Sequence, residues 1–386
     1  MASVDRMVTT PPPRPDGRIS SLDGLRGLAA VVVVLHHWLL IARPWLEGTL
    51  IWAWISQSPA KILTAGSEAV LVFFVLSGLV VVLPVFRSGF SWMGFLSARV
   101  VRLYGPVIAA LILSSILILL VPRDTSKMPA ESWMADTHAV DVTWQAFLSQ
   151  ASLVPRQYPL DNPLWSLHWE LVYSILLPLA TAIALLVRRW ALTAVLVCCA
   201  LSLLGRVFEQ SELLYFPIFL MGTIMAARMP DLLEWVQRPR ARWFMPLFAA
   251  GSVLLLIASW LARPIAPSGG ELSNALWALA APGAAGVVIV SLAWAPAMRF
   301  LETRVMQWLG KISFSLYLIH VPILATLAFA LGSEHWAIIG AIGIPLCLLS
   351  AWAFYQAVEA RIHQVARRVH RAVAARARRR AGEIAS

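Results

Sequence analysis

Charged residues are scarce in this chain: Asp, Glu, Lys and Arg make up 13% of its 386 residues, where an ordinary soluble domain carries about 25%. Hydrophobic residues reach 59%, against about 45–50% in soluble domains. Together these values exclude a water-soluble globular protein and make lipid the solvent for most of the surface. Cysteine is equally sparse. Cys198, Cys199 and Cys347 all fall inside apolar runs, and adjacent cysteines are poorly placed for a disulfide. Neither a disulfide framework nor a metal site is therefore expected. The chain also lacks a phosphate-cradling Gly-rich loop, a Ser-His-Asp hydrolase signature and His/Cys spacing suited to zinc. It has no internal repeat of the kind that marks inverted-repeat transporters.

What is present is a succession of apolar runs, each near the ~20 residues that cross a bilayer. They fall at 25–41, 62–85, 103–121, 167–187, 191–207, 213–227, 244–261, 275–294, 312–331 and 336–358. This pattern predicts an all-α integral membrane protein, a bundle of about ten transmembrane helices. The 18 Trp residues suit aromatic belts at the two membrane boundaries. With the N-terminus inside, 24 of the 31 Lys and Arg fall in cytoplasmic segments and 7 outside. Cytoplasmic segments carry the excess of Lys and Arg, so both termini are expected in the cytoplasm, in a multi-pass protein of the inner or plasma membrane.

Three regions follow from the same reading. Residues 1–22 form a polar, Pro-rich cytoplasmic leader. Residues 23–358 form the transmembrane domain, interrupted by a long polar outer loop at 122–163. That loop holds Trp133, His138, Trp144 and Tyr158 and suits a lid or an acceptor platform. Residues 359–386 form a basic tail with Ile362, Ala366, Val369 and Val373 on one helical face. Such a helix is expected to lie on the anionic inner leaflet rather than on nucleic acid.

An ionisable group inside a span is costly and is a functional candidate by default. The first span offers the sharpest case. Asp23 and Arg26 stand at its cytoplasmic mouth, and His37 lies 11 residues beyond Arg26, about 16 Å along a helix. Eleven residues is close to three turns, so Arg26 and His37 share a face. One face then holds an anion-binding group at the mouth and a base inside the membrane. A neutral imidazole can take a proton from a hydroxyl near neutral pH. His36 points about 100° away and reads as structural.

The stretch Leu22–His37, LDGLRGLAAVVVVLHH, resembles the signature of the membrane acyltransferase-3 family. Four more blocks resemble that family in order. They are Gly66-x-Glu68-Ala69-Val70 through Ser77-Gly78; Arg99-x-x-Arg102-Leu103-Tyr104-x-Pro106; Pro163-Leu164-Trp165-Ser166-Leu167-x-x-Glu170; and Gly310-x-Ile312 through Tyr317-Leu318-Ile319-His320-x-Pro322. Leu71 stands where many members carry an acid, with Glu68 three residues earlier. The resemblance implies transfer of an acyl group, usually acetyl, to a hydroxyl of a sugar in an envelope or exported glycan, or of a glycosylated small molecule. Acyl-CoA would be the co-substrate, with no bound cofactor.

On that resemblance, His37 is the general base or a transient acyl carrier, and Arg26, Arg99 and Arg102 meet the donor phosphates, which Arg pairs well. Asp23 and Glu170 complete the expected catalytic set. An intramembrane carboxylate such as Glu170 needs a partner: it can orient a His or bind sugar hydroxyls, beside a stacking face from Trp165. Glu68, Ser166, Tyr317 and His320 are expected to support the acceptor. The rival reading is a glycolipid or polysaccharide transporter or flippase, with Arg26, His37 and Glu170 as a polar path and no covalent chemistry.

Overall fold

The computed structural model describes residues 19–86, 89–138, 141–155, 157–266 and 270–385. Residues 1–18 of the expected leader lie outside the described residues, as do Arg87 and Arg156, two of the charges in the topology count. Every regular element among the described residues is helical. That is what lipid demands of an open chain, because a helix satisfies its backbone hydrogen bonds within itself.

In chain order the helices are α1 (Ser20–Leu46), α2 (Leu50–Ser56), α3 (Gly66–Val82), α4 (Trp92–Leu120), α5 (Trp133–Thr137) and α6 (Trp144–Ala151). Next come α7 (Leu164–Leu186), α8 (Ala191–Val207), α9 (Ser211–Ala227), α10 (Met229–Gln237), α11 (Pro239–Leu261) and α12 (Glu271–Ala278). The chain ends in α13 (Ala280–Ala293), α14 (Ala295–Leu301), α15 (Arg304–Leu331), α16 (Trp336–Phe354) and α17 (Ala360–Ala385). Side-chain oxygens cap several starts: Ser91, Ser132 and Thr143 accept from the backbone amides of Gly94, Ala135 and Ala146, each satisfying an otherwise orphaned donor.

Nine helices among the described residues are long and apolar enough to cross a membrane, where the sequence pattern suggested about ten. The remaining run, 213–227, is α9, which has 17 residues and meets α10 at a 70° bend; counted with α10 as one bent span, it brings the number to ten. At 1.5 Å per residue α9 alone spans about 25 Å, short of a ~30 Å hydrocarbon core. Two helices begin earlier than apolarity alone indicates. α4 starts at Trp92, so Arg99 and Arg102 lie within it, and α15 starts at Arg304, so His320 sits deep in the helix. Basic side chains hide a helix start from a hydropathy reading but not from the backbone.

α1 is the central helix, packed along α15 and α3, and it contributes to both large apolar cores. Glycines permit these approaches. A Cβ on Gly27 would overlap the backbone at Leu309–Gly310, and one on Gly310 would overlap the Asp23 carbonyl. The LDGLRG glycines therefore press α1 onto α14 and α15, the role of small residues at helix crossings in lipid. α3 and α9 repeat the device, with Gly78 against the Phe219 carbonyl and Gly222 against that of Val75. Gly78→Ala is expected to cost about 1–3 kcal/mol, the usual penalty of overpacking. Gly251→Ala in α11, where a Cβ meets nothing within 4 Å, should be neutral or stabilising by up to about 1 kcal/mol. Unfolding midpoints of the two variants in detergent check the pair, and equal shifts would refute it.

The C-terminal segment packs against the bundle with one of its faces. A π-helical turn, Tyr355–Glu359, joins α16 to α17, and α17 packs along α4. Ile362 lies over Gly105, and His370 and Ala374 lie over Gly94. Of the apolar stripe, Ile362 meets α4 at Gly105, and Ala366 is buried.

Candidate active site

Two contiguous cavities open into the end of the bundle that carries Arg26. They have volumes of about 590 and 450 Å³ and share Asp23, Arg26, Arg99, Arg102 and Glu170 as walls. The larger one runs inward along apolar side chains of α3, including Val70, Phe73 and Phe74, to Ser166 and Tyr317. The smaller, more polar one adds Lys311, Glu359 and His363. Asp23, Arg26, Arg99, Arg102 and Glu170, predicted from three separate sequence blocks, thus come together around one space.

Glu170 is partnered inside it. Its carboxylate forms an ion pair with the Arg99 guanidinium, and Ser77 Oγ approaches the same oxygen at 3.4 Å. Arg99 Nε donates to Ser174 Oγ at 3.0 Å, and Ser174 Oγ donates to the Glu170 carbonyl at 2.6 Å. Three helices thereby fix one guanidinium. His168 does not join this set: its Nδ1–H donates to the Leu153 carbonyl at 2.6 Å. Arg99 enters the cavity with its charge already opposed, whereas Arg26 and Arg102 oppose Glu359 through space.

At the inner end of the larger cavity, Ser166 Oγ and Tyr317 Oη lie 2.6 Å apart, and both reach the Pro163 carbonyl. The Tyr317 ring is 6.0 Å from that of His320. His320 Nε2 in turn lies 3.0 Å from His37 Nδ1. The two histidines are 283 residues apart in sequence, and their pairing fixes their tautomers. His37 Nδ1 lies 3.0 Å from the Val33 carbonyl, and His320 Nδ1 lies 3.0 Å from that of Leu316. A carbonyl only accepts, so both Nδ1 atoms carry protons. His37 Nδ1–H is shared between Val33 and the bare Nε2 of His320. The proton-free nitrogen of His37 is therefore Nε2. His36 bonds through Nδ1 to the Thr64 carbonyl at 3.1 Å and braces the segment before α3.

Beyond His37 stands the 122–163 loop, folded into the bundle end rather than extended from it. Met134, Leu153, Tyr158 and Leu160 are buried in the core, and Trp133 brings its ring to 5.1 Å from His37. Around it lies a polar cluster in which His138, already marked with the loop, joins two residues that sequence reasoning did not single out, Arg123 and Asp161. Arg123 donates to the carbonyls of Pro159 and Leu160 at 2.5 and 3.3 Å. Burial pushes the Asp161 carboxyl well above its usual range, against the opposing pull of Arg123, and pushes the His138 imidazole down to about 3, so His138 is neutral at pH 7. The available signal was a run of polar residues in a loop too long to be a mere connection.

Glu68, Trp165 and the remaining expected acceptor groups are placed differently from one another. Glu68 is 1% exposed and accepts from Trp260 Nε1 at 2.8 Å. Lys61 and Arg263 stack on the Trp260 ring at 3.5 and 3.4 Å, so Glu68 belongs to a charged clasp between α3 and α11. Trp165 packs among Phe74 and Tyr215. Ser166, Tyr317 and His320 are the ones that connect the cavity to His37. No group of three or more His, Cys, Asp or Glu side chains among the described residues is close enough to hold a metal ion.

A bundle of membrane-crossing helices holding a histidine pair above a basic cavity defines a multi-pass membrane enzyme rather than a soluble transferase. The acyltransferase domain of acyltransferase family 3 matches residues 19–356, which include every residue discussed above from Asp23 to His320. The chain belongs to that family and is an acyltransferase. It is also 26% identical to the O-acetyltransferase PaAT-1 of Phomopsis amygdali, over 83% of this chain and 75% of that protein. No solved structure matches.

Proposed function

We propose that the protein is an O-acyltransferase that moves an acyl group, acetyl in the simplest case, from acyl-CoA to a carbohydrate hydroxyl. The observation that carries this reading is His37 Nε2, left without a proton by the His37–His320 pairing and standing between a basic cavity and an aromatic-lined loop. The family membership and the O-acetyltransferase relative support the same chemistry. The donor's phosphates meet the basic end near Arg26 and Arg102, on the cytoplasmic side by the distribution of positive charge. Its thioester arm follows the apolar wall toward Tyr317. The acceptor hydroxyl approaches from the loop end, where Trp133 offers a sugar-stacking face.

In the base mechanism, the hydroxyl oxygen attacks the thioester carbonyl carbon and His37 Nε2 takes its proton. The C–S bond breaks, and the thiolate leaves with that proton. In the carrier mechanism, Nε2 itself attacks the carbonyl and the thiolate departs; the hydroxyl oxygen then attacks the acyl-imidazolium carbonyl carbon, the C–Nε2 bond breaks to restore the neutral imidazole, and the hydroxyl proton ends on the thiolate. In either case the cation that develops on His37 is stabilised through Nδ1–H by the Val33 carbonyl and His320 Nε2. Both routes transfer an acyl group at membrane depth without moving CoA itself across.

Purified protein in lipid vesicles, given radiolabelled acetyl-CoA and host glycan, is expected to release free thiol and to place label in an ester on the glycan. Movement of an unaltered glycan across the vesicle, without thioester consumption, would replace this reading with the transporter.

A further inference from the structure

α17 completes the cavity that the donor is proposed to enter. Ala366, Arg367, His370 and Arg371 line the 590 Å³ cavity together with Arg26, Arg99 and Arg102. Arg367 and Arg371 are four residues apart and share a helix face. Packing of Ile362 over Gly105, and of His370 and Ala374 over Gly94, holds that face toward the bundle. The family match covers residues 19–356, so α17 lies beyond the matched segment.

Charge balance gives α17 a task. Within the bundle, Arg26, Arg99, Arg102 and Lys311 face Asp23, Glu170 and Glu359 across the two cavities. One of these cations, Arg99, is ion-paired to Glu170, and Glu359 lies in the field of Arg26 and Arg102. Four cations against three carboxylates leave the bundle's own wall close to neutral. A ligand carrying several phosphate charges needs more than that, and the additional positive charge comes from Arg367 and Arg371. Arg is well suited to phosphate, since its planar fork makes paired N–H···O bonds.

We propose that Arg367 and Arg371 of the C-terminal helix form part of a phosphate-binding wall that holds the nucleotide end of the donor. This inference rests on the acyl-CoA reading above. His37 stands at the other end of the path, so these arginines act on donor affinity and not on the chemical step.

The test uses the full chain in neutral nanodiscs, with CoA and adenosine 3′,5′-bisphosphate as probes in calorimetric titrations. A hydrogen bond to a charged group is worth about 1.5–3 kcal/mol, or about tenfold in affinity or more. R367Q and R371Q are each expected to weaken CoA binding about tenfold, and the double variant about a hundredfold. The donor KM should rise in parallel with kcat unchanged, and Lys at both positions should restore part of the affinity. Arg368→Gln, on an exposed neighbouring residue that does not line the cavity, should bind as the wild type does. Wild-type CoA binding with an unaltered R367Q/R371Q variant would overturn the inference and leave the donor reading standing. Absence of wild-type binding to either probe would overturn both. A loss seen in nanodiscs of anionic lipid but absent from neutral ones would assign the two arginines to lipid headgroups and likewise overturn it.

Discussion

His37→Ala should reduce acyl transfer by about 10²–10⁴-fold if the imidazole acts as a general base, and to background if it carries the acyl group. CoA affinity should stay within about twofold of wild type, because the basic end lies about 16 Å away along α1. That split separates loss of chemistry from loss of fold. Single-turnover labelling with radioactive acetyl-CoA then decides between the mechanisms. Label retained on denatured wild-type protein and absent from His37→Ala identifies a carrier, and no label on either identifies a base. His320→Ala should have a smaller effect, since His320 acts through the Nδ1 proton of His37. Its signature is a displaced pH–rate profile with donor KM unchanged. A His37→Ala protein that binds CoA and still turns over at a third or more of the wild-type rate would remove His37 from the mechanism.

Breaking the Arg99–Glu170 pair should have the second largest consequence. The two side chains are 19% and 26% exposed, so each charge is largely withdrawn from water. Removing one partner of such a pair strands the other, at a cost of about 3–5 kcal/mol. The cavity keeps these groups partly hydrated, which places the expected loss near the lower end, about 3 kcal/mol. Arg99→Gln and Glu170→Gln should each lower the unfolding midpoint in detergent. The double variant R99Q/E170Q should recover most of the stability, because neither charge is then left alone. Its activity should remain low if the pair also shapes the cavity wall. A double variant whose destabilisation equals the sum of the two single losses would show that the groups do not act as a pair.

Much of this protein was legible without coordinates. Its composition leaves only lipid as solvent, the apolar runs locate nearly every span, and the Arg26–His37 spacing puts both groups on one face of α1. The motif blocks point to the family that the domain match establishes. The misjudged boundaries have a common cause: at the start of α4 and of α15, basic side chains occupy helical backbone, so hydropathy understates helix length. α9 shows the converse, an apolar run too short and too bent to count by itself as a span.

Amino-acid order by itself determined the membrane class, the helical architecture and which polar residues sit where lipid would penalise them. It could not say which of those residues meet. In lipid the apolar faces that contact neighbouring helices and those that contact acyl chains have similar composition, so periodicity does not reveal helix partners. Tertiary packing alone joined His320 to His37 and Arg99 to Glu170, diverted Glu68 into a clasp with Trp260, folded Trp133 over His37 and laid α17 against α4. Close approaches accompany some of these encounters: Gly27 and Gly310 let α1 and α15 meet backbone to backbone, Gly78 does the same for α3 and α9, and Gly94 receives α17, because a missing side chain there leaves room that hydropathy does not record.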